Sequence, residues 1–145
     1  MSVKPVPEGY HTVTPYFTVA DAGEVIAFAQ KVFDAELKFQ MMRPDGKVGH
    51  SEIRIGDSKI MLGSATEEWG AAPGMVYIYL EGVDELYRRA IEAGGVSLRE
   101  PRTEFYGDRA AGVRDPQGNQ WWIATHVEDV SEEELQRRAK AAGRG

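Results

Sequence analysis

The chain repeats one structural pattern twice, and this repetition restricts the available folds more than any single residue does. Val19-Ala20-Asp21 opens an amphipathic stretch that runs to Phe33-Asp34-Ala35, followed by a strand, a Pro44-Asp45-Gly46 turn and two further strands. Val83-Asp84 opens a second such stretch, which ends at Gly94-Gly95. A short strand, a loop and two strands joined by Asp115-Pro116-Gln117-Gly118 follow it. Each half reads strand, helix, strand, strand, strand. The expected architecture is α+β, with paired βαβββ modules whose mixed sheets form a cup and whose helices cover the convex side. Module one is expected over about 10–63, a linker over about 64–73, module two over about 74–127 and a C-terminal helix over about 131–142, all within one domain.

The elements follow from periodicity and punctuation. His11 to Val19 alternates polar and apolar residues and reads as a strand, with Pro15 requiring an edge or a break in pairing. Asp21 and Glu24 have the spacing of a capping box, and Val25, Ile26, Phe28, Ala29, Val32 and Phe33 supply a helical apolar stripe. Strands are expected at Leu37–Met42, Val48–Ile55 and Lys59–Leu62, then at Met75–Leu80, Val96–Arg99, Arg109–Arg114 and Gln120–Thr125. Pro101 to Gly107 reads as a loop. Glu132 to Ala142 reads as a charged helix lying on the outside, its Glu-rich start and Arg137-Arg138 matching the helix dipole.

Composition narrows the functional classes. The 145 residues contain no cysteine, which excludes disulfides, thiolate ligands and a cysteine nucleophile. A formal net charge of -6 argues against a nucleic-acid surface. No apolar run approaches the roughly 20 residues of a membrane span. Met1 to Gly9 lacks the apolar core of a signal peptide, so a cytoplasmic protein is expected. No Gly-rich phosphate loop, nucleophile elbow or zinc-finger spacing occurs.

Tyr106-Gly107-Asp108-Arg109, Gly112 to Asn119 and Trp122-Ile123-Ala124-Thr125-His126 resemble the PhnB-like branch of the vicinal oxygen chelate superfamily. Thr14-Pro15-Tyr16-Phe17-Thr18-Val19 and His50 to Asp57 fit the same branch, so the resemblance spans roughly residues 10–128. That superfamily includes glyoxalase I, fosfomycin resistance enzymes, extradiol dioxygenases and bleomycin resistance proteins. The resemblance implies the glyoxalase/bleomycin resistance fold and a homodimer. In its enzymes a divalent metal takes one His or Glu ligand from each of four strands. The corresponding positions here fall at Thr14, Glu52, near Tyr77 and at Trp122, so Glu52 alone matches. The usual metal site is therefore expected to be absent, with no cofactor. A divalent metal remains open through an off-pattern set drawn from His11, His50, Glu52 and His126.

Strand alternation places His50 and Glu52 on the cup face, opposite Ile53 and Ile55. They are candidates for proton transfer or ligand hydrogen bonding; the alternative is a polar sheet face satisfied by Arg54 or water. Tyr16, Tyr77, Tyr79 and Trp122 share cup-facing parity, whereas Trp121 belongs to the helix-side core. These aromatics suit a planar or cationic organic ligand, or else fill the cup themselves. Arg109 either clamps a ligand anion at the rim or pairs with Asp108 or Glu104. The expected function is binding of a small molecule in an aromatic cup, resembling resistance proteins that sequester a drug. The alternative is a lyase, isomerase or dioxygenase, metal-dependent or metal-free, using His50 and Glu52.

Overall fold

The computed structural model describes residues 2–143. In module one, β1 (Tyr16–Val19), β2 (Glu36–Met42), β3 (Val48–Ile55) and β4 (Ser58–Ser64) form a sheet of order β1-β4-β3-β2. In module two, β5 (Met75–Tyr79), β6 (Val96–Thr103), β7 (Asp108–Arg114) and β8 (Gln120–His126) repeat it as β5-β8-β7-β6. The first and last strands of each module run parallel, and the other pairs are antiparallel. Helices α1 (Ala22–Phe33) and α2 (Val83–Glu92) supply the connections that follow β1 and β5, and α3 (Glu132–Ala141) follows β8. This is the α+β fold of paired βαβββ units that the repeat predicts.

One core joins the modules. Alternation sends Phe17 and Val19, Ile53 and Ile55, Ile60 and Leu62, and Val113 with Trp121 and Ile123 to the helix side, where all are buried. Trp121 is fully buried, with its ring centroid 5.1 Å from Phe33, 5.7 Å from Phe17 and 6.2 Å from Phe28. A module-two side chain thus fills the space between β1 and α1 of module one. Its indole N–H donates to Asp115 Oδ2 at 2.8 Å, and Asp115 also accepts from the backbone N–H groups of Gln117 and Asn119. The Asp-Pro-Gln-Gly turn is therefore a turn, as its sequence predicts, and also a bracket for the core tryptophan.

Three local expectations change. The first strand begins at Tyr16 rather than His11, because proline has no N–H to offer a ladder; Pro15 O instead accepts from Met61 N–H at 3.0 Å. β6 runs to Thr103, through Pro101, where a loop is expected. It is an edge strand, and its register shifts between Ser97 and Arg102 absorb the proline. The capping box is incomplete in its own helix. The Asp21 carboxylate accepts from Gly23 N–H, but Glu24 does not return to Asp21. Gln117 of module two takes that place. Its amide oxygen accepts from Asp21 N–H at 2.8 Å and its amide nitrogen donates to Glu24 at 2.7 Å. No helix among the described residues is long and apolar enough to cross a membrane.

Candidate functional site

The faces turned away from the helices carry most of the candidate side chains. On the first sheet, Tyr16 pairs in register with Met61, and Met61 with Glu52, whose β2 neighbour is Phe39. The Tyr16 hydroxyl lies 3.1 Å from His50 Nδ1, and His50 Nε2 lies 3.6 Å from Glu52 Oε2. With the hydroxyl donating to Nδ1, the Nε2–H faces the carboxylate, at a distance too long for a hydrogen bond. Gly63 makes this bridge possible. A Cβ there would meet both the Tyr16 hydroxyl and Gly49 O at 2.8 Å, so only a bare backbone lets the phenol cross the strand.

A cavity of about 490 Å³ opens beside this bridge. Tyr16, Thr18 and Gly63 line it from the sheet, and Thr66 and Trp69 from the segment that follows β4. Trp69 is 69% exposed and Tyr16 50% exposed. Arg43 fixes that segment: its guanidinium donates to Ser64 O at 3.0 Å and Ala65 O at 3.3 Å while pairing with Asp45 at 2.9 Å. The volume lies within the roughly 300–1,000 Å³ range of small-molecule sites.

On the second sheet, Tyr77, Trp122, Gly112 and Arg99 stand in one row. The Trp122 ring lies over Gly112, where a Cβ would come within 2.5 Å of it, and the Arg99 guanidinium sits 4.9 Å from the ring centroid. The Tyr77 and Tyr79 hydroxyls both donate to Asp108 Oδ2, at 2.8 and 2.9 Å. Asp108 Oδ1 lies 2.9 Å from His126 Nδ1, and His126 Nε2 lies 2.8 Å from Asp129 Oδ1. Burial pushes the Asp108 carboxyl up, but hydrogen bonds from His126, Tyr77 and Tyr79 outweigh this and hold it below the ordinary aspartate value. Hydrogen bonds to Asp108 and then Asp129 raise His126 above its ordinary 6.5. Burial, then hydrogen bonds with Tyr106 and Asp108, push the Tyr77 hydroxyl far up, so it remains a donor.

This network carries a pH dependence. Because folding raises the His126 pKa, the stability it contributes is fully present below 6.5 and is lost as pH rises through the folded value above that. Denaturant midpoints measured from about pH 6 to about pH 9 are expected to fall more steeply for the natural chain than for His126→Gln. Parallel curves would show that protonation of His126 is not linked to folding.

The sequence candidates divide into three groups. Tyr16, His50 and Glu52 are brought together on the first sheet, and Tyr77, Tyr79 and Trp122 on the second. The cavities lined by Tyr16 or Glu52 do not include Tyr77, Tyr79 or Trp122. Tyr77 and Tyr79 instead border a cavity of about 280 Å³ against the β3–β4 hairpin. Arg109 lies on the helix side, paired with Asp84 of α2 at 3.0 Å, and takes no place at the cup rim. Arg99, which the sequence reading passes over, occupies the cup face instead. His11 approaches Ser58 Oγ at 3.5 Å, and His126 belongs to the Asp108 network.

The metal positions implied by the resemblance do not supply a ligand set. Thr14 and Glu52 line one cavity, but Thr14 brings only a neutral hydroxyl. Tyr77 uses its hydroxyl on Asp108, and Trp122 offers no ligand atom. Among the described residues no group of three or more His, Cys, Asp or Glu is placed to hold a metal ion. The residues present do not fit a His/Glu metal centre.

The fold and these faces define a class. The sequence pattern of the Glyoxalase/Bleomycin resistance protein/Dioxygenase superfamily matches residues 10–123, and the chain belongs to that superfamily. An uncharacterised protein of Mycobacterium tuberculosis is 28% identical over 144 residues, covering 92% of this chain and 85% of that protein. TioX from Micromonospora sp. ML1 superposes with a TM-score of 0.69 at 20% identity, over 81% of this chain and 99% of that one. A lactoylglutathione lyase from Agrobacterium tumefaciens gives 0.60 at 20% identity, over 84% and 96%. At such identities the structural likenesses establish the fold alone.

Proposed function

We propose that this protein is a PhnB-like member of the superfamily that binds a small organic molecule on its cup face, possession of the ligand rather than its conversion being the function. The observation that carries this reading is the aromatic cavity between Tyr16 and Trp69, floored by Gly63 and flanked by the Tyr16–His50 bridge. Tyrosine and tryptophan offer flat apolar surfaces with one polar handle each, the surfaces an aromatic ligand needs. Tyr77, Tyr79 and Trp122 present a separate aromatic surface on the second sheet. Phe39, Met41, Met75 and Tyr77 leave exposed apolar area on strands β2 and β5, which supports a homodimer that covers part of it. No nucleic-acid or membrane partner is invoked, and the cytoplasm is the proposed location.

The rival reading is a metal-free lyase or isomerase. It is favoured by the Tyr16–His50–Glu52 chain, in which His50 and Glu52 would exchange a proton with substrate. Thermal-shift screening of aromatic compounds, followed by product analysis of the hits, separates the two. Binding is expected to be saturable and to raise the melting temperature by mass action, with the ligand recovered unchanged. Conversion of a hit that depends on His50 would favour the enzyme. The same preparation at micromolar concentration is expected to sediment as a dimer.

A further inference from the structure

Residues 2–15 form an arm that crosses the cup side of the first sheet before β1 begins. The arm is held at several points. Tyr10 N–H donates to Pro7 O at 3.1 Å, the Lys59 ammonium sits 4.3 Å over the Tyr10 ring, and Pro15 O accepts from Met61 N–H. Between arm and sheet lies a second cavity of about 480 Å³. Pro5 and Pro7 form its outer wall, and Met61 and Glu52 its floor. Tyr10 and Thr14 are among its sides.

Two features of this chamber are unmatched. The Glu52 side chain is 21% exposed, and its polar contact among the described residues is His50 Nε2 at 3.6 Å. Neighbouring cations are committed elsewhere: Lys59 to the Tyr10 ring and Arg54 to Glu36 at 2.9 Å. The Tyr10 hydroxyl oxygen is buried without a hydrogen-bond partner among the described residues. A partly buried carboxylate without a full partner and a buried hydroxyl without one both carry a cost, and a ligand that reaches them lowers it.

We propose that the chamber beneath the N-terminal arm is a site for a primary or secondary organic ammonium, with Glu52 as its counter-ion. An ammonium N–H donates to the Glu52 carboxylate in a charge-assisted hydrogen bond, and a second N–H reaches an acceptor such as the Tyr10 or Thr14 hydroxyl. The carbon skeleton lies against Met61 and the proline wall. Glu52 repels anions. A quaternary ammonium has no N–H to give, and the Tyr10 face it would need is already under Lys59. A divalent cation requires several oxygen ligands, and one carboxylate does not supply them. The proposal rests on the reading that the cup face takes up small organic molecules, and it names the class one compartment selects.

The test uses the full chain and three probes of similar shape: benzylamine, benzyl alcohol and benzoate, titrated calorimetrically or by ligand-observed NMR. Benzylamine is expected to bind more tightly than the other two. Its dissociation constant should rise about tenfold or more in Glu52→Gln, with the alcohol changed less than about twofold. Tyr10→Phe, which removes one oxygen and keeps the ring, is expected to weaken the amine several-fold. Equal binding of amine and alcohol, or an amine preference that survives Glu52→Gln in a folded protein, overturns the cation site and leaves the cup reading standing. Failure of benzylamine to bind also overturns the cation site, whereas the cup reading falls only if the wider thermal-shift screen yields no saturable binder.

Discussion

Replacing Trp121 by alanine is expected to destabilise the protein by roughly 3–5 kcal/mol, the cost of emptying a large aromatic site in a packed core. The ring is fully buried and is shared between Phe17, Phe28 and Phe33 of module one. Its loss also removes one of the two donors to Oδ2 of the buried Asp115, leaving that oxygen with Asn119 Nδ2 alone. For a chain of this length such a change should lower the melting temperature by about 10 °C or more. Trp121→Phe is the informative companion: it keeps an aromatic ring in the site while removing the indole N–H and part of the volume, and should cost less than the alanine change but still more than about 1 kcal/mol. Calorimetric melting of the two variants measures both. If alanine at this position cost less than about 1 kcal/mol, the modules could not share the core described here.

Gly63→Ala is the second change expected to have a large effect, and it acts on the cup. The added methyl would lie 2.8 Å from a backbone oxygen, Gly49 O, and 2.8 Å from the Tyr16 hydroxyl. Moving the Tyr16 side chain relieves the second contact, while the first, to backbone, requires a small shift between the paired strands β3 and β4 as well. The Tyr16 ring is therefore expected to swing off His50, giving up the 3.1 Å contact and moving into the cavity against Trp69. Overpacking of this kind costs roughly 1–3 kcal/mol of stability. Ligand binding should fall further than stability, because the cavity wall itself is displaced. His50→Ala removes the bridge without adding volume, and comparing it with Gly63→Ala separates loss of the hydrogen bond from blockage of the cavity.

Much of this architecture is legible in the sequence because alternation is a strict geometric rule. Parity separates Trp121 from Trp122, adjacent residues of one type, and sends the first to the core and the second to the cup face. The same rule places His50 and Glu52 opposite Ile53. It fails where the ladder is irregular. Arg99 reaches the cup face through a strand with two register shifts, and a reading of β6 that stops at Arg99 cannot pair it with Gly112. Arg109 looks equivalent as a rim arginine, yet its odd parity in β7 puts it with Asp84. Long-range substitution is equally invisible. Gln117 completes the α1 cap from across the chain, a contact no local spacing encodes. The arm before Tyr16 reads as strand by alternation alone, and Pro15 is the signal that it is not. Once the arm is released from the sheet it can roof the Glu52 chamber.

The cup face is proposed to bind an aromatic organic ligand. Trp69 stands in the wall of the cavity beside Tyr16, so it reports on occupancy directly. The deciding measurement is a tryptophan fluorescence titration with a hit from the thermal-shift screen, run on the natural chain and on Tyr16→Ala. Saturable quenching is expected for the natural chain. In Tyr16→Ala the dissociation constant should rise about tenfold, as loss of an aromatic contact worth roughly 1–3 kcal/mol requires. An unchanged dissociation constant and unchanged quenching in a folded Tyr16→Ala would contradict the account and leave the cup a surface filled by its own side chains.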